Sequence, residues 1–175
     1  SHADIADFAI VFMKSGEEAT GRGTRAQITA FFVDKGTKGF TVREGYRNVT
    51  TGATNAILEF DDCRVPGSQI LGEAHCGFEV ANQWLGATRL QVGATCLGRA
   101  ERAFAHALEH AASREQFGQK IGKFQGISFK LADMAVEMRA AELMILEAGW
   151  KFAHGQADEA DMALAKLEAN QMLAF

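Results

Sequence analysis

The hydrophobic period of the sequence changes once, close to its single proline, Pro66. Before Pro66, short runs rich in β-branched and aromatic residues are separated by turn residues, which is typical of strands. After Gly77, apolar residues recur every three or four positions, which is typical of amphipathic helices. Strands followed by helices, without alternation, predict an α+β fold.

Four strands are predicted before Pro66, at residues 5–13, 27–33, 39–46 and 56–63. No helical segment separates them, so we expect an antiparallel sheet that is part of a sandwich or barrel. We assign this β domain to residues 1–74. The polar, glycine-containing stretch 14–25 is expected to be the loop of a hairpin.

Three helices are predicted after Gly77, at residues 77–112, 124–153 and from 158 or 159 onward. Short connections predict an up-down bundle, and three helices leave one face uncovered, so residues 75–175 are expected to be an incomplete four-helix bundle. Gly93 and Gly98 inside the first helix indicate close packing. Phe175 lies within an apolar helical run without a capping residue, so we expect a fragment of a longer protein.

Composition excludes several classes of function. The formal net charge of −4 over 175 residues gives no general attraction to nucleic acid. No apolar run approaches the roughly 20 residues that span a bilayer, so no membrane insertion is expected. The three cysteines, Cys63, Cys76 and Cys96, have spacings of neither a disulfide framework nor a metal knuckle, and predict reduced thiols in a cytoplasm-type compartment.

One stretch resembles a zinc site. His106, Glu109 and His110 fit H-x-x-E-H, but no third ligand is placed convincingly, and a solvated helix face explains them better. No Glu-x-x-His occurs for a di-iron bundle. We therefore expect no metal.

The linker between the first two helices contains unusual residues for a simple connection. Arg114 can interact with the negative end of the preceding helix or with a pyrophosphate. Phe117, beside Gln116 and Gly118, can cover the edge of the core or stack on a ligand. Arg89, on the first helix, is either a bundle-edge residue with its guanidinium in water or a buried, paired charge.

The linker continues into R-x-x-F-G-x-x-I-x-x-F-Q-x-I-x-F-x-L-A-D-M, from Arg114 to Met134. With Val65-Pro66, the ILGE of residues 70–73, Gly77-Phe78 and Thr88-Arg89, this string resembles the acyl-CoA dehydrogenase family. The resemblance implies an FAD flavoprotein that oxidises the Cα–Cβ bond of an acyl-CoA and passes electrons to an electron-transfer flavoprotein-type acceptor. It also implies a homo-oligomer, dimer or tetramer, in a bacterial cytoplasm or a mitochondrial matrix.

On this resemblance the chain holds the middle β domain and the first bundle helices of the family fold. Ser1 would bond the reactive edge of the flavin, and Arg114 the pyrophosphate of FAD held mainly by a neighbouring subunit. Phe117 would lie against the adenosine portion of that FAD, and Gln116 and Gln125 would complete its contacts. The acyl-CoA thioester would lie beside three residues of the first helix, Leu85, Thr88 and Arg89.

The resemblance also concerns the catalytic base. The family uses a glutamate, which a minority of members carry where this chain has Thr88. Threonine cannot replace a carboxylate as the base, so we expect the base beyond Phe175 and no activity of this chain alone. Gly86 replaces an acidic residue that often contacts the adenosine of CoA, and residues 50–55 lack the usual Arg-x-Ser/Thr run.

Three alternatives remain open. A flavin-dependent monooxygenase on the same fold needs no glutamate base, and an acyl-CoA oxidase differs in the fast reaction of its reduced flavin with oxygen. A non-catalytic module would retain the fold and bind neither flavin nor thioester.

Overall fold

A computed structural model describes residues 1–47 and 54–174 of the chain. These residues form two compact units, residues 1–83 and residues 84 onward. The domain boundary between residues 74 and 75 stays a prediction. Most of the 50–55 segment, where the family run is missing, lies outside the described residues.

The first unit is built around strand β2 (Gly23–Asp34). Strand β1 (Phe8–Thr20) pairs with it antiparallel along its whole length, and the short strand β5 (Ile70–Leu71) pairs with its other edge. Because β2 is the central strand, it holds most of the buried residues described in this unit, Thr29, Ala30 and Val33.

The prediction of a loop at residues 14–25 is wrong. Both strands continue through it, and only Gly21 and Arg22 remain as the turn of the hairpin. Glu18 lies directly opposite Arg25, and the side chains of this part are exposed. Backbone hydrogen bonds hold such a ribbon together with polar side chains on both faces, so its sequence carries no apolar period.

Strands β3 (Phe40–Arg47) and β4 (Thr54–Phe60) form a separate antiparallel pair. The rings of Phe40 and Phe60 stack at its end, with centroids 4.9 Å apart and planes 4° from parallel. The predicted antiparallel β structure is confirmed.

The three predicted helices are confirmed as α1 (Gly77–Ser113), α2 (Gln125–Ala153) and α3 (Glu159–Ala174). Their buried core is made largely of small side chains, which lets the helix axes approach closely. It consists of Cys96, Ala100, Ala141, Ile145, Ala148, Ala165, Ala169 and Met172.

The contacts fix the directions of the helices. A Cβ added at Gly149, late in α2, would lie 3.7 Å from Leu90, early in α1, so these two helices run antiparallel. Cys96 donates a hydrogen bond of 3.0 Å from Sγ to Oδ1 of Asn170, and a Cβ at Gly86 would lie 2.6 Å from Cε of Met162, so α1 and α3 run in the same direction. The order is up-down-up, as predicted.

Close packing is confirmed at one of the two predicted glycines. A Cβ at Gly93 would lie 3.5 Å from the carbonyl oxygen of Ala165 on α3. Gly98 is exposed and faces open space, so the prediction is wrong there. An apolar cleft of about 200 Å³ also opens between the helices, lined by Phe104 and Ala107 of α1, Met134 and Met138 of α2, and Met172 of α3 among others.

Candidate functional site

The linker between α1 and α2 forms a tight hairpin. Strand β6 (Glu115–Gln116) pairs with β7 (Gln119–Lys120), and Phe117 and Gly118 make the two-residue turn with φ angles of 53° and 78°. Two consecutive positive φ values are those of a type I′ turn, in which glycine is usual and phenylalanine is strained. The fold therefore holds Phe117 in an unfavourable conformation at the tip of the hairpin.

Phe117 does not cover the core, because 93% of its surface is exposed. The edge of its ring meets Phe124, with centroids 6.1 Å apart. Phe124 is the N-cap residue of α2, and Gln125 is the first residue of that helix. The hairpin tip is thus folded back against the start of α2, which brings Phe117 close to Gln125.

Three polar side chains in the linker and at the start of α2 have their hydrogen-bonding capacity free. Arg114, Gln116 and Gln125 are exposed, and their side chains make no hydrogen bond or ion pair with any residue that the structure describes. The backbone of Arg114 is fixed on both sides, by a bond to His110 and one from Ile121. A guanidinium and two carboxamides beside an exposed ring can bind a ligand with phosphate groups and an aromatic part.

The first helix carries the second predicted group, Leu85, Thr88 and Arg89, which are all half-buried. The hydroxyl of Thr88 donates a hydrogen bond of 2.9 Å to the carbonyl oxygen of Trp84. Arg89 makes no ion pair with the part of the chain that the structure describes. Of its two predicted alternatives, the buried, paired charge is therefore not observed. No acidic residue lies between Glu79 and Glu101, so this length of α1 offers no carboxylate as a base.

Ser1 belongs to the first unit, whereas the other predicted site residues belong to the second. Its Oγ donates a hydrogen bond of 3.1 Å to Oδ1 of Asn55, which sequence reasoning missed. The two residues are 54 positions apart, and no local pattern signals such a pair.

A polar cluster in the first unit was also missed. Ser15, at the irregularity in β1, lies 2.6 Å from Oγ1 of the buried Thr29 and 2.9 Å from Nδ1 of His75. His75 also donates its backbone N–H to Thr29 Oγ1. A polar cleft of about 280 Å³ lies beside this cluster, lined by charged and polar residues that include Glu18, Arg25, Gln27 and Glu79. A bulge that redirects one side chain gives no signal in the apolar period.

His106, Glu109 and His110 are exposed on α1. Across residues 1–47 and 54–174, no three His, Cys, Asp or Glu side chains are close enough together to hold a metal ion. The three cysteines are free thiols. Within the same ranges, no helix combines the length and the apolar character that crossing a membrane requires.

Comparison with known proteins decides the family. The family model described as "Acyl-CoA dehydrogenase, C-terminal domain" matches residues 75–175, more than half of the chain. The chain belongs to the acyl-CoA dehydrogenase family. The family is one of oxidoreductases that use flavin, and its model begins two residues before α1.

Similar proteins cover nearly all of the chain. The short-chain specific acyl-CoA dehydrogenase of Megasphaera elsdenii is 38% identical over 174 residues, 98% of this chain and 44% of that protein. The structure of butyryl-CoA dehydrogenase from the same organism matches with a TM-score of 0.84 at 37% identity, over 98% of this chain and 44% of that one. The structure titled "PigA with FAD and proline" gives a TM-score of 0.87 at 28% identity, with the same coverage.

The chain thus spans less than half the length of these relatives. The α+β fold with a helical bundle portion is that of the acyl-CoA dehydrogenases. The roles of the individual residues stay predictions.

Proposed function

We propose that this chain is part of an FAD-dependent acyl-CoA dehydrogenase, which removes a proton from Cα and a hydride from Cβ of an acyl-CoA thioester. The observation that carries the proposal is the α1–α2 hairpin, where the exposed, strained Phe117 meets Phe124 and the side chains of Arg114 and Gln125, before and after the turn, have no partner among the described residues. Membership of the family supports the same chemistry.

The chemistry of the linker fits one part of FAD. Arg114 would pair with the pyrophosphate, because a guanidinium presents two parallel N–H donors to phosphate oxygens. Phe117 would stack against the adenosine portion, while Gln116 and Gln125 would donate or accept hydrogen bonds at its edge. Since these side chains face away from the core of their own unit, we propose that they serve FAD held mainly by a neighbouring subunit of a dimer or tetramer.

Ser1 is proposed to act at the other end of the cofactor, at the reactive edge of the flavin. Its hydroxyl is already directed by Asn55, which accepts a hydrogen bond from it. When bound, FAD supplies the acceptor for the hydride. Electrons would then pass to an electron-transfer flavoprotein-type acceptor.

The thioester is proposed to lie along α1 beside Leu85, Thr88 and Arg89. The half-buried Leu85 offers apolar surface, and Arg89 offers a cation that has no ion-pair partner among the described residues. Gly86 leaves this length of helix without the acidic side chain that would contact the adenosine of CoA.

The base that removes the α-proton is proposed to lie outside residues 1–175. Proton removal needs a positioned group of suitable pKa, and a carboxylate serves in this family. The Thr88 hydroxyl is engaged with Trp84, and α1 has no acidic residue from position 80 to 100. The chain by itself should therefore not exchange the α-proton of a bound thioester.

A spectroscopic titration of the longer protein that contains this chain tests the proposal. It should be yellow when purified, and an acyl-CoA should bleach it without oxygen. Rapid return of the colour in air would favour the oxidase, and a colourless protein that cannot be reconstituted with FAD would leave only a non-catalytic role. Arg114→Ala should lose FAD during gel filtration, while Arg102→Ala, at an exposed arginine of α1, should retain it.

A further inference from the structure

The hydrogen bond between Ser1 and Asn55 decides which atoms of Ser1 are left for a ligand. Ser1 Oγ lies 3.1 Å from Oδ1 of Asn55. An amide oxygen carries no hydrogen, so the bond uses the hydroxyl hydrogen of Ser1, and serine has only one. While this bond is made, the oxygen of Ser1 offers a ligand its lone pairs and no donor.

Ser1 is open to a ligand while it makes this bond. Its side chain is exposed, whereas Asn55, on strand β4, is half-buried. A ligand that arrives from solvent can therefore reach the oxygen of Ser1 and leave the bond to Asn55 intact. The acceptor character of Ser1 is then the property that the ligand meets.

A turn in the backbone holds the Ser1 side of the bond. Directly after Ser1, His2 has a φ of 59°, in the left-handed region that a residue other than glycine seldom adopts. The carbonyl oxygen of His2 accepts the backbone N–H of Ile5 at 3.1 Å and that of Ala6 at 2.9 Å. These two bonds offset the strain at His2, and they fix the direction in which Ser1 leaves the turn.

An irregularity in the strand pair holds the Asn55 side of the bond. The pairing of β3 with β4 shifts between Arg43 and Tyr46, and Tyr46 is the partner of Asn55. Gly45 lies in this shift, and a Cβ added to it would lie 1.5 Å from the carbonyl oxygen of Asn55. Only glycine lets the two strands approach so closely here. Bulges of this kind re-aim a side chain, and they are common next to active sites.

A strained turn and a bulge thus meet at one hydrogen bond between residues 54 positions apart. The bond itself joins two side chains at the surface, where water competes for both groups and the net gain in stability is small. Strained backbone persists where the surrounding structure enforces it, and such positions cluster at binding and active sites. The orientation of the Ser1 hydroxyl explains this arrangement better than stability does.

The orientation matters for the flavin that the proposed function places at Ser1. The reactive edge of an oxidised flavin presents a ring nitrogen without a hydrogen, which accepts a hydrogen bond. In the reduced flavin the same nitrogen carries an N–H, which donates one. Hydrogen bonds to ring nitrogens are among the means by which a protein tunes a bound cofactor. Ser1 as an acceptor matches the reduced state, whereas Ser1 as a donor would match the oxidised state.

We propose that Asn55 is a positioning residue, which holds the Ser1 hydroxyl as an acceptor and so makes the site favour reduced over oxidised FAD. This inference rests on the proposed function, since it takes from there the place of Ser1 at the flavin. Favouring the reduced state raises the midpoint potential of the bound flavin, which assists the oxidation of a substrate.

A double-mutant cycle on the midpoint potential of bound FAD, in the longer protein that contains this chain, tests the proposal. Asn55→Ala frees the hydroxyl hydrogen of Ser1 to turn toward oxidised FAD. The ratio of affinities for reduced and oxidised FAD should then fall about tenfold, the effect of one hydrogen bond, which lowers the potential of a two-electron couple by about 30 mV. Ser1→Ala should also lower the potential. In that background Asn55→Ala should change nothing more, because Asn55 acts through Ser1.

Two further variants separate the orientation of Ser1 from folding. Asn55→Asp keeps an oxygen that accepts from Ser1, so Ser1→Ala should lower the potential in this background by as much as in the parent. This comparison serves in place of the first if Asn55→Ala does not fold. Ile57→Ala, at a 46% exposed residue two positions further along β4, is the matched control and should leave the potential unchanged.

Two results would overturn this proposal and leave Ser1 at the flavin. One is an equal fall in potential on Asn55→Ala with and without the Ser1 hydroxyl, which would mean that Asn55 does not act through Ser1. The other is a lower potential in Ser1→Ala together with the parent value in Asn55→Ala. An unchanged potential in Ser1→Ala, or a longer protein that binds no FAD, would instead remove the role of Ser1 in the proposed function, and this inference with it.

Discussion

Lys151, in the last turn of α2, donates a hydrogen bond of 2.8 Å to the carboxylate of Asp161, in the first turn of α3. This bond closes the connection between the two helices, and Lys151 also pairs with Glu147 at 2.9 Å. The bond from Lys151 is the main reason that the pKa of Asp161 lies below its ordinary value, and the backbone N–H of Asp158 adds to it. The bond to Asp161 is in turn the main reason that the pKa of Lys151 is raised.

The first prediction concerns acid stability. Folding lowers the pKa of Asp161. The carboxylate therefore contributes its full stabilisation of the folded state above the unfolded pKa, about 3.9, and this stabilisation is lost as pH falls through the lower folded pKa. Asp161→Asn should lower the thermal midpoint at pH 7 and flatten its decline below about pH 4. Thermal unfolding followed by circular dichroism from pH 2 to 7 measures both effects.

The exposed Asp133 of α2 makes no ion pair with the described residues, so Asp133→Asn is the matched control and should leave the acid profile nearly unchanged. If Asp161→Asn declined as steeply as the parent, the carboxylate would contribute nothing to acid stability. For Lys151 the pH dependence has the opposite sign. Its stabilisation of the folded state is present below the ordinary lysine pKa, about 10.4, and is lost only at higher pH. The pair should therefore be insensitive to pH between about 5 and 9.

The second prediction concerns the start of α3. Asp158 accepts the backbone N–H of Asp161 at 2.8 Å, and Asp161 accepts that of Asp158 at 3.2 Å, which is a reciprocal capping box. Asp158→Ala should lower the free energy of unfolding in urea by about 1 kcal/mol. Asp158→Asn keeps an acceptor and should cost much less. Equal losses for the two substitutions would show that the cap is not the cause.

The third prediction separates strain from binding at Phe117. Phe117→Gly relieves the positive φ of the hairpin, so the protein without FAD should be at least as stable as the parent. The same change removes the ring, so FAD affinity of the longer protein should fall about tenfold, the effect of roughly 1.4 kcal/mol of lost stacking. Phe152→Ala, at another exposed phenylalanine, should alter neither quantity. Unchanged FAD affinity in Phe117→Gly would remove the binding role of the ring.

The fourth prediction compares two glycines of α1. A Cβ at Gly77 would lie 2.9 Å from the backbone of Thr29 and Ala30, so Gly77→Ala should destabilise the protein by about 1–3 kcal/mol. Gly98 faces open space within the same helix, and Gly98→Ala should stabilise it by about 0.5–1 kcal/mol. Urea unfolding of both variants gives the two values. A stabilising effect at both positions would mean that β2 moves aside without cost.

The helices and the fold class could be predicted because their signal is local and repeated. Apolar residues at intervals of three and four set the ends of α1 and α2 to within one residue of those observed. The long ribbon of β1 and β2 could not be predicted, because its backbone hydrogen bonds form whatever side chains the strands carry. A polar stretch such as residues 14–25 is read as a loop unless its partner strand is known.

The residues proposed for the candidate site stay predictions, and their arrangement was only partly predictable. The linker residues were identified from their types, and the structure shows that Phe117 is exposed at the tip of a strained turn. The bond between Ser1 and Asn55 and the cluster of Ser15, Thr29 and His75 join distant parts of the chain. Such contacts depend on how strands pair, which one sequence does not reveal.

The surface of α1 that packs against α3 is distinct from the positions proposed to bind the substrate. Gly86 and Gly93 lie on the side of α1 that meets α3: a Cβ at Gly86 would press against Cε of Met162 at 2.6 Å, and one at Gly93 would reach contact distance, 3.5 Å, from the Ala165 carbonyl oxygen. Leu85 and Thr88 lie about 100° and 200° around the helix from Gly86, away from this contact, and are only half-buried. Substitutions at these two positions can therefore reshape the proposed thioester slot while the spacing of the helices stays as it is. On the proposed function, a protein of this architecture can accept new acyl groups through substitutions at these positions, with its bundle unchanged.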